Sequence, residues 1–190
     1  MAANIKPLLT IEDLDACPDD GNRYELIGGE LFVSRAPGIS HQLIIQNIQK
    51  ALLPYLDDTP VGTVISGSGV IFGEHDAVIP DLAFVIRERW SEIVRNEKFT
   101  SAPDLLVEVI SAGADNQRRD RIIKRQLYAK YGVQEYWIVD PERRLVEVYR
   151  QNGPSLELTV TLIDDDIITS PLLPAFELKV SLLFDYPGNS

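Results

Sequence analysis

The sequence predicts a mixed α/β or α+β fold in one domain spanning residues 1–190, with its core over residues 10–185. Three observations predict it. Apolar runs of strand length, bounded by Gly, Pro or Asp, recur along the whole chain. One segment, 119–132, carries apolar residues four apart and ends on Gly132, as a helix does. The 190 residues are 45% apolar and 25% charged, a composition that supports one buried core and argues against disorder.

In chain order, Thr10 to Ala16 predicts a short helix capped by Thr10, with Asp13 three residues on. "RYELIGGELFVS" (23–34) predicts two strands around the Gly28-Gly29 turn. In "SHQLIIQNIQKALLPYL" (40–56), Ile44, Ile45, Ile48, Ala51 and Leu52 share a helical face, with Ser40 as cap and Pro54 as stop. "GTVISGSGVIFG" (62–73) and "AVIPDLAFVI" (77–86) have strand character, and 88–96 that of a short helix. "DLLVEVI" (104–110) is a core strand. The helix over 119–132 follows, then a hairpin, 135–140 with 144–150, turning at Pro141-Glu142-Arg143. Segments 156–163 and 176–184 add β structure. Strands therefore dominate, with three helices.

No apolar run reaches the ~18 residues of a membrane span. The first twenty residues lack a basic stretch followed by an apolar one, so no signal peptide is expected. Cys17 is the one cysteine, which excludes an internal disulfide and a cysteine-based zinc site and fits a cytoplasmic location. A net charge of −11 argues against non-specific nucleic-acid binding through many phosphate contacts. It leaves room for an enzyme that meets phosphate through a local basic patch and a divalent metal, or for a protein with a basic partner.

Two acids interrupt apolar strands. Strand alternation puts Glu108 on one face with Leu106 and Ile110, opposite Leu105, Val107 and Val109. Asp81 shares a face with Ala83 and Val85. A buried carboxylate must be paired, protonated or metal-bound. Two oxygen donors from adjacent strands suit Mg²⁺ or Mn²⁺. For each acid alone, a solvated strand position is the plain alternative. Asp104 and Glu108 lie ~13 Å apart along one strand, too far to share a cation.

"IPD" (79–81) followed by "VEVIS" (107–111) resembles the PD-(D/E)xK nuclease superfamily. The usual lysine is absent, because position 110 is Ile. "YELIGGEL" (24–31), His41 at a helix start, "PDLAFV" (80–85), "PDLLVEVIS" (103–111), Asp120, Lys124, Tyr128 and "YGVQEYWIVDPE" (131–142), in that order, resemble the Uma2 family. These are endonucleases of restriction-enzyme-like fold, also described as a domain of unknown function and abundant in cyanobacteria. The resemblance covers residues 10–185. It implies a restriction-endonuclease-like mixed sheet flanked by helices, with additional β-hairpins, and metal-dependent hydrolysis of DNA phosphodiesters. Asp81 and Glu108 would hold Mg²⁺ (or Mn²⁺). Lys124, moved from the strand to the following helix, would assist the attacking water. Glu25 matches a further acidic position of the family.

Plain alternatives stand beside these roles. Lys124 could form a surface pair with Asp120 worth only ~0.3–0.5 kcal/mol, and Glu25 could be an exposed strand residue or a partner for Arg23. His41 reads as a hydrogen-bonding structural residue. Arg118, Arg119, Arg121, Lys124 and Arg125 form the densest basic segment, either a phosphate-facing stripe or a solvated helix face. A homodimer is expected, joined through an edge at 147–151 or the C-terminal strands. A catalytically silent interaction module of the same fold, or a phosphodiesterase acting on RNA or a small phosphoester, remain the alternative functions.

Overall fold

The structure, a computed structural model, describes residues 7–111 and 113–188. The first six residues of the stretch in which no signal peptide is expected lie outside the described residues. Helix α1 (Ile11–Asp15) opens with the expected capping box, in which Thr10 and Asp13 satisfy each other's backbone N–H. Strands β1 (Arg23–Ile27) and β2 (Glu30–Ser34) form the expected hairpin. Gly28 and Gly29 both have positive φ, +59° and +75°, which a tight two-residue turn requires.

Helix α2 (Ile39–Asp58) differs from its expected bounds. Its N-cap is Gly38, without a side-chain bond, and Ser40 lies inside the helix. Pro54 does not end it, because Leu52 and Leu56 on either side are buried and hold the last turn on the sheet. The runs at 62–73 and 77–86 each break in two, giving β3 (Gly62–Ser66), β4 (Val70–Gly73), β5 (Asp76–Val78) and β6 (Leu82–Ile86). Gly67-Ser68-Gly69 makes the first break and Ile79-Pro80-Asp81 the second. The expected 88–96 helix shrinks to α3 (Trp90–Ile93) after a 3₁₀ turn, and its end becomes β7 (Val94–Arg95), paired with β8 (Lys98–Phe99).

Strand β9 (Leu105–Val109) is followed by a helix that starts earlier than expected: α4 (Ala114–Arg118), a π-helical turn (Arg119–Lys124) and α5 (Arg125–Lys130) run on without a break. The hairpin of β10 (Glu135–Asp140) and β11 (Leu145–Asn152) forms as expected and continues into β12 (Ser155–Ile163). A pair the sequence did not announce, β13 (Ile167–Ser170) with β14 (Leu173–Lys179), then leads into α6 (Val180–Leu183), so 176–184 is half strand and half helix.

Two six-stranded sheets result, ordered β2-β1-β5-β4-β8-β7 and β12-β11-β10-β9-β6-β3. In the second, β9 and β10 run parallel and the helix over 114–130 crosses between them. Leu105, Val107 and Val109 pack with Ile44, Ile48 and Leu52 of α2. Leu106 and Ile110 pack on the opposite side with Leu127 and Tyr128. Ala83 and Val85 join that second side, so the expected face parity holds. Residues 147–151 are not an edge, since β11 lies between β10 and β12; the free edges of this sheet are β12 and β3. Among the described residues no helix is long and apolar enough to cross a membrane.

Gly62 is required by a close approach. A Cβ there would run into the Val85 carbonyl oxygen and the Phe84 ring. Gly62→Ala is expected to destabilise the β3–β6 pair by ~1–3 kcal/mol, measured by urea unfolding. An unchanged midpoint would show that the strands separate without cost.

Candidate active site

The chain passes from the first sheet to the second through Ile79-Pro80-Asp81, and the candidate site lies at that crossing. β6 pairs antiparallel with β9 in the register Leu82↔Val107. Continued by one residue, that register sets Asp81 beside Glu108. The Val109 N–H donates to Asp81 Oδ2 at 2.8 Å. Asp81 and Glu108 are 3% and 4% exposed, which rules out the solvated alternative for both.

Glu25 comes from β1, where strand alternation also points Arg23 to the same side. Its Oε1 accepts the Ile79 N–H at 2.8 Å and the Lys124 ammonium at 2.8 Å. It is neither exposed nor Arg23's partner; Arg23 instead reaches Asp81 Oδ1 at 3.3 Å.

Lys124 ends the π-helical turn. Its Nζ donates to Glu108 Oε1 at 2.8 Å and stands 4.0 Å from Asp120 Oδ1. At 2% exposed, with Asp120 equally buried, it is no surface pair. A stem that runs through the core to reach a polar cluster explains how a lysine is tolerated there. Tyr128, one turn on, donates its hydroxyl to the same Glu108 Oε1 at 2.7 Å. Glu25, Asp81, Glu108 and Lys124 thus line one cleft of about 370 Å³, with Arg23, His41, Arg119 and Asp120 in its walls.

His41, Arg23 and Asp120 were not proposed from sequence as site residues. His41 Nε2 lies 3.1 Å from Asp81 Oδ2, and its Nδ1 is buried without a partner among the described residues. A signal existed: positions 41, 45, 48 and 52 form the buried stripe of α2, so a polar residue at 41 had to face the interior. Asp104 stands apart, as its distance along β9 requires. It accepts bonds from Ile86 N–H, Arg89 and Gln134, and ties β6 to the start of β9.

The electrostatics separate the two central acids. Burial pushes the Glu108 carboxyl up to about 8; Lys124 opposes that, and Asp81, Asp120 and Glu25 add to it. Burial also acts on Asp81, but His41, the Val109 N–H and Lys124 hold it below the usual carboxylate range. Burial alone would lower Lys124, yet Glu108, Glu25 and Asp120 hold its ammonium well above the ordinary value. Asp120 is raised, chiefly by burial. The cleft gathers four buried carboxylates with Lys124, Arg23, Arg119 and His41, and carboxylate oxygens are the donors a hard divalent cation takes. Among the described residues no group of three or more His, Cys, Asp and Glu side chains is arranged to enclose a metal. Mg²⁺ needs no such cage, since it commonly takes one or two carboxylates and keeps its waters, and Asp81 with Glu108 fits that donor chemistry.

A family model described as "Uma2: Putative restriction endonuclease" matches residues 11–181. No curated protein matches the chain. Among solved structures, the chain is similar to "a putative nuclease belonging to DUF820" from Anabaena variabilis. The TM-score is 0.75 at 22% identity, covering 93% of this chain and 97% of that one. At that identity the likeness speaks for the fold, which is the restriction-endonuclease-like mixed α/β architecture. With the family model spanning nearly the whole sequence, the chain belongs to the Uma2 family, within the PD-(D/E)xK-like superfamily.

Proposed function

We propose that this protein is a metal-dependent endonuclease that hydrolyses DNA phosphodiester bonds. The observation that carries the reading is the convergence of Asp81 and Glu108, from adjacent strands, with Lys124 from the crossing helix in one cleft. Asp81 and Glu108 would hold Mg²⁺ or Mn²⁺. A bound cation would lower the pKa of a water and offset charge on the scissile phosphate.

The chain's own groups do the rest. Asp81 stays ionised, fixed by Val109 N–H, His41 and Arg23. Lys124 and Tyr128 both bond Glu108 Oε1 and so fix its carboxylate plane. Its ammonium held protonated by Glu108, Glu25 and Asp120, Lys124 orients these acids and supplies positive charge. Glu25 shares that ammonium with Glu108 and sets its position. A homodimer is part of this reading, and the exposed Leu158, Val160 and Ile163 on the free edge strand β12 support it.

A catalytically silent module is the second reading, favoured by Ile110 in place of the strand lysine and by the engagement of Lys124 with two acids. Calorimetric titration with Mn²⁺ separates the two. Wild type is expected to bind with a stoichiometry near one site, and Asp81→Ala to lose that heat. No binding by wild type would leave the enzyme reading without support.

A further inference from the structure

The basic segment 116–125 does not act as one stripe. Arg121 turns away to Asp140 at 2.8 Å and Glu147 at 3.0 Å. Arg125 lies over the Tyr149 ring, 5.3 Å from its centroid. Arg118 is exposed and does not line the cleft. Lys124 lines it but is saturated, with 2.8 Å contacts to Glu25 and Glu108 and 2% exposure. Arg119 is different. It lines the cleft and keeps 14% of its side chain exposed. Its one ion pair among the described residues is a long contact from Nε to Asp120 Oδ1, 3.3 Å. That contact runs through Nε; Glu25 and Glu108 also act on the guanidinium through space, but among the described residues neither forms an ion pair with it. Of the other cleft arginines, Arg23 is spent on Asp81 and Arg35 is exposed to solvent.

A planar fork of N–H donors anchored at its base matches the paired non-bridging oxygens of a phosphodiester, which a lysine cannot engage in the same way. We propose that Arg119 is a catalytic residue that grips the scissile phosphate, while Lys124 holds the acids. This rests on the nuclease reading of the cleft, and its test is built to separate the two.

The test uses the full chain and a fluorescently labelled DNA duplex. One arm measures Mg²⁺-dependent cleavage by wild type, Arg119→Gln, Arg119→Lys and Arg118→Gln. The other measures duplex binding in EDTA by anisotropy, and melting temperatures monitor folding. Arg119→Gln is expected to lower kcat by about 10²-fold and to weaken duplex binding several-fold. Arg119→Lys retains charge but lacks the fork, so it should recover only part of the rate. Arg118→Gln should match wild type in both arms. Full recovery by Arg119→Lys would overturn the inference, as would equal losses in Arg118→Gln or wild-type kcat in Arg119→Gln. If wild type cuts nothing, the nuclease reading fails by itself. The binding arm then decides the role of Arg119: a loss confined to Arg119→Gln supports the phosphate contact, and unchanged affinity removes it.

Discussion

Glu108→Gln is expected to lower Mg²⁺-dependent nicking of supercoiled plasmid by about 10³-fold, the scale of several kcal/mol that a ligand to a catalytic metal supplies. The substitution keeps the shape of the side chain and an oxygen that accepts from Lys124 and Tyr128, so loss of folding does not explain such a result. It also carries a stability signature. In the folded protein the Glu108 carboxyl is raised from 4.5 to about 8. The folded state therefore retains a proton that the unfolded chain releases. The resulting stabilisation is fully present below pH 4.5 and is lost as pH rises through about 8. Asp120 acts in the same direction, while Asp81, held low, acts only at the acid end. In EDTA, wild type should lose stability between pH 5 and 8, at a slope of at most ~1.4 kcal/mol per pH unit for one group. Glu108→Gln should flatten most of that slope. Thermal melting at three pH values reads it, and parallel curves for the two proteins would contradict the buried-acid assignment. Equal nicking by both would assign the activity to a contaminant.

Lys124→Met should be the most destabilising single change in the cleft. It leaves Glu25 buried without its cation, and breaking a buried pair by removing one partner costs ~3–5 kcal/mol. For a chain of this size each kcal/mol moves the melting temperature by about 2–4 °C, so a drop on the order of 10 °C is expected. Above pH 8 the double variant Lys124→Met/Glu108→Gln should recover part of it, because no acid remains at 108 to be ionised or kept protonated. A drop under about 1 kcal/mol by urea unfolding, or no recovery in the double variant, would mean that water already screens the cluster.

What the sequence made legible followed local rules. Two-residue alternation put Glu108 and Asp81 on their faces, and turn chemistry placed the Gly28-Gly29 hairpin. The Asp81–Glu108 proximity needed a strand order that no local pattern carries, and it was reached by resemblance. Lys124 was reached the same way, since an i,i+4 Asp–Lys pair looks identical on a wet and a dry helix face. His41 was readable from the stripe at 41, 45, 48 and 52, but its contact with Asp81 joins residues forty apart. Where the expectation failed in the fold, burial overrode local signals. Pro54 did not stop α2, and short apolar stretches at 167–170 and 173–179 paired only with each other.

The widened turn at Arg119–Lys124 has a further consequence. Such a turn holds one residue more than regular winding would, so it amounts to a stored insertion. Winding the same residues regularly would rotate everything beyond them by about 100°. The arginine that opens the turn and the lysine and tyrosine after it would then no longer face the same opening. The match between that winding and the spacing of these residues, as much as their identity, is what keeps them working together.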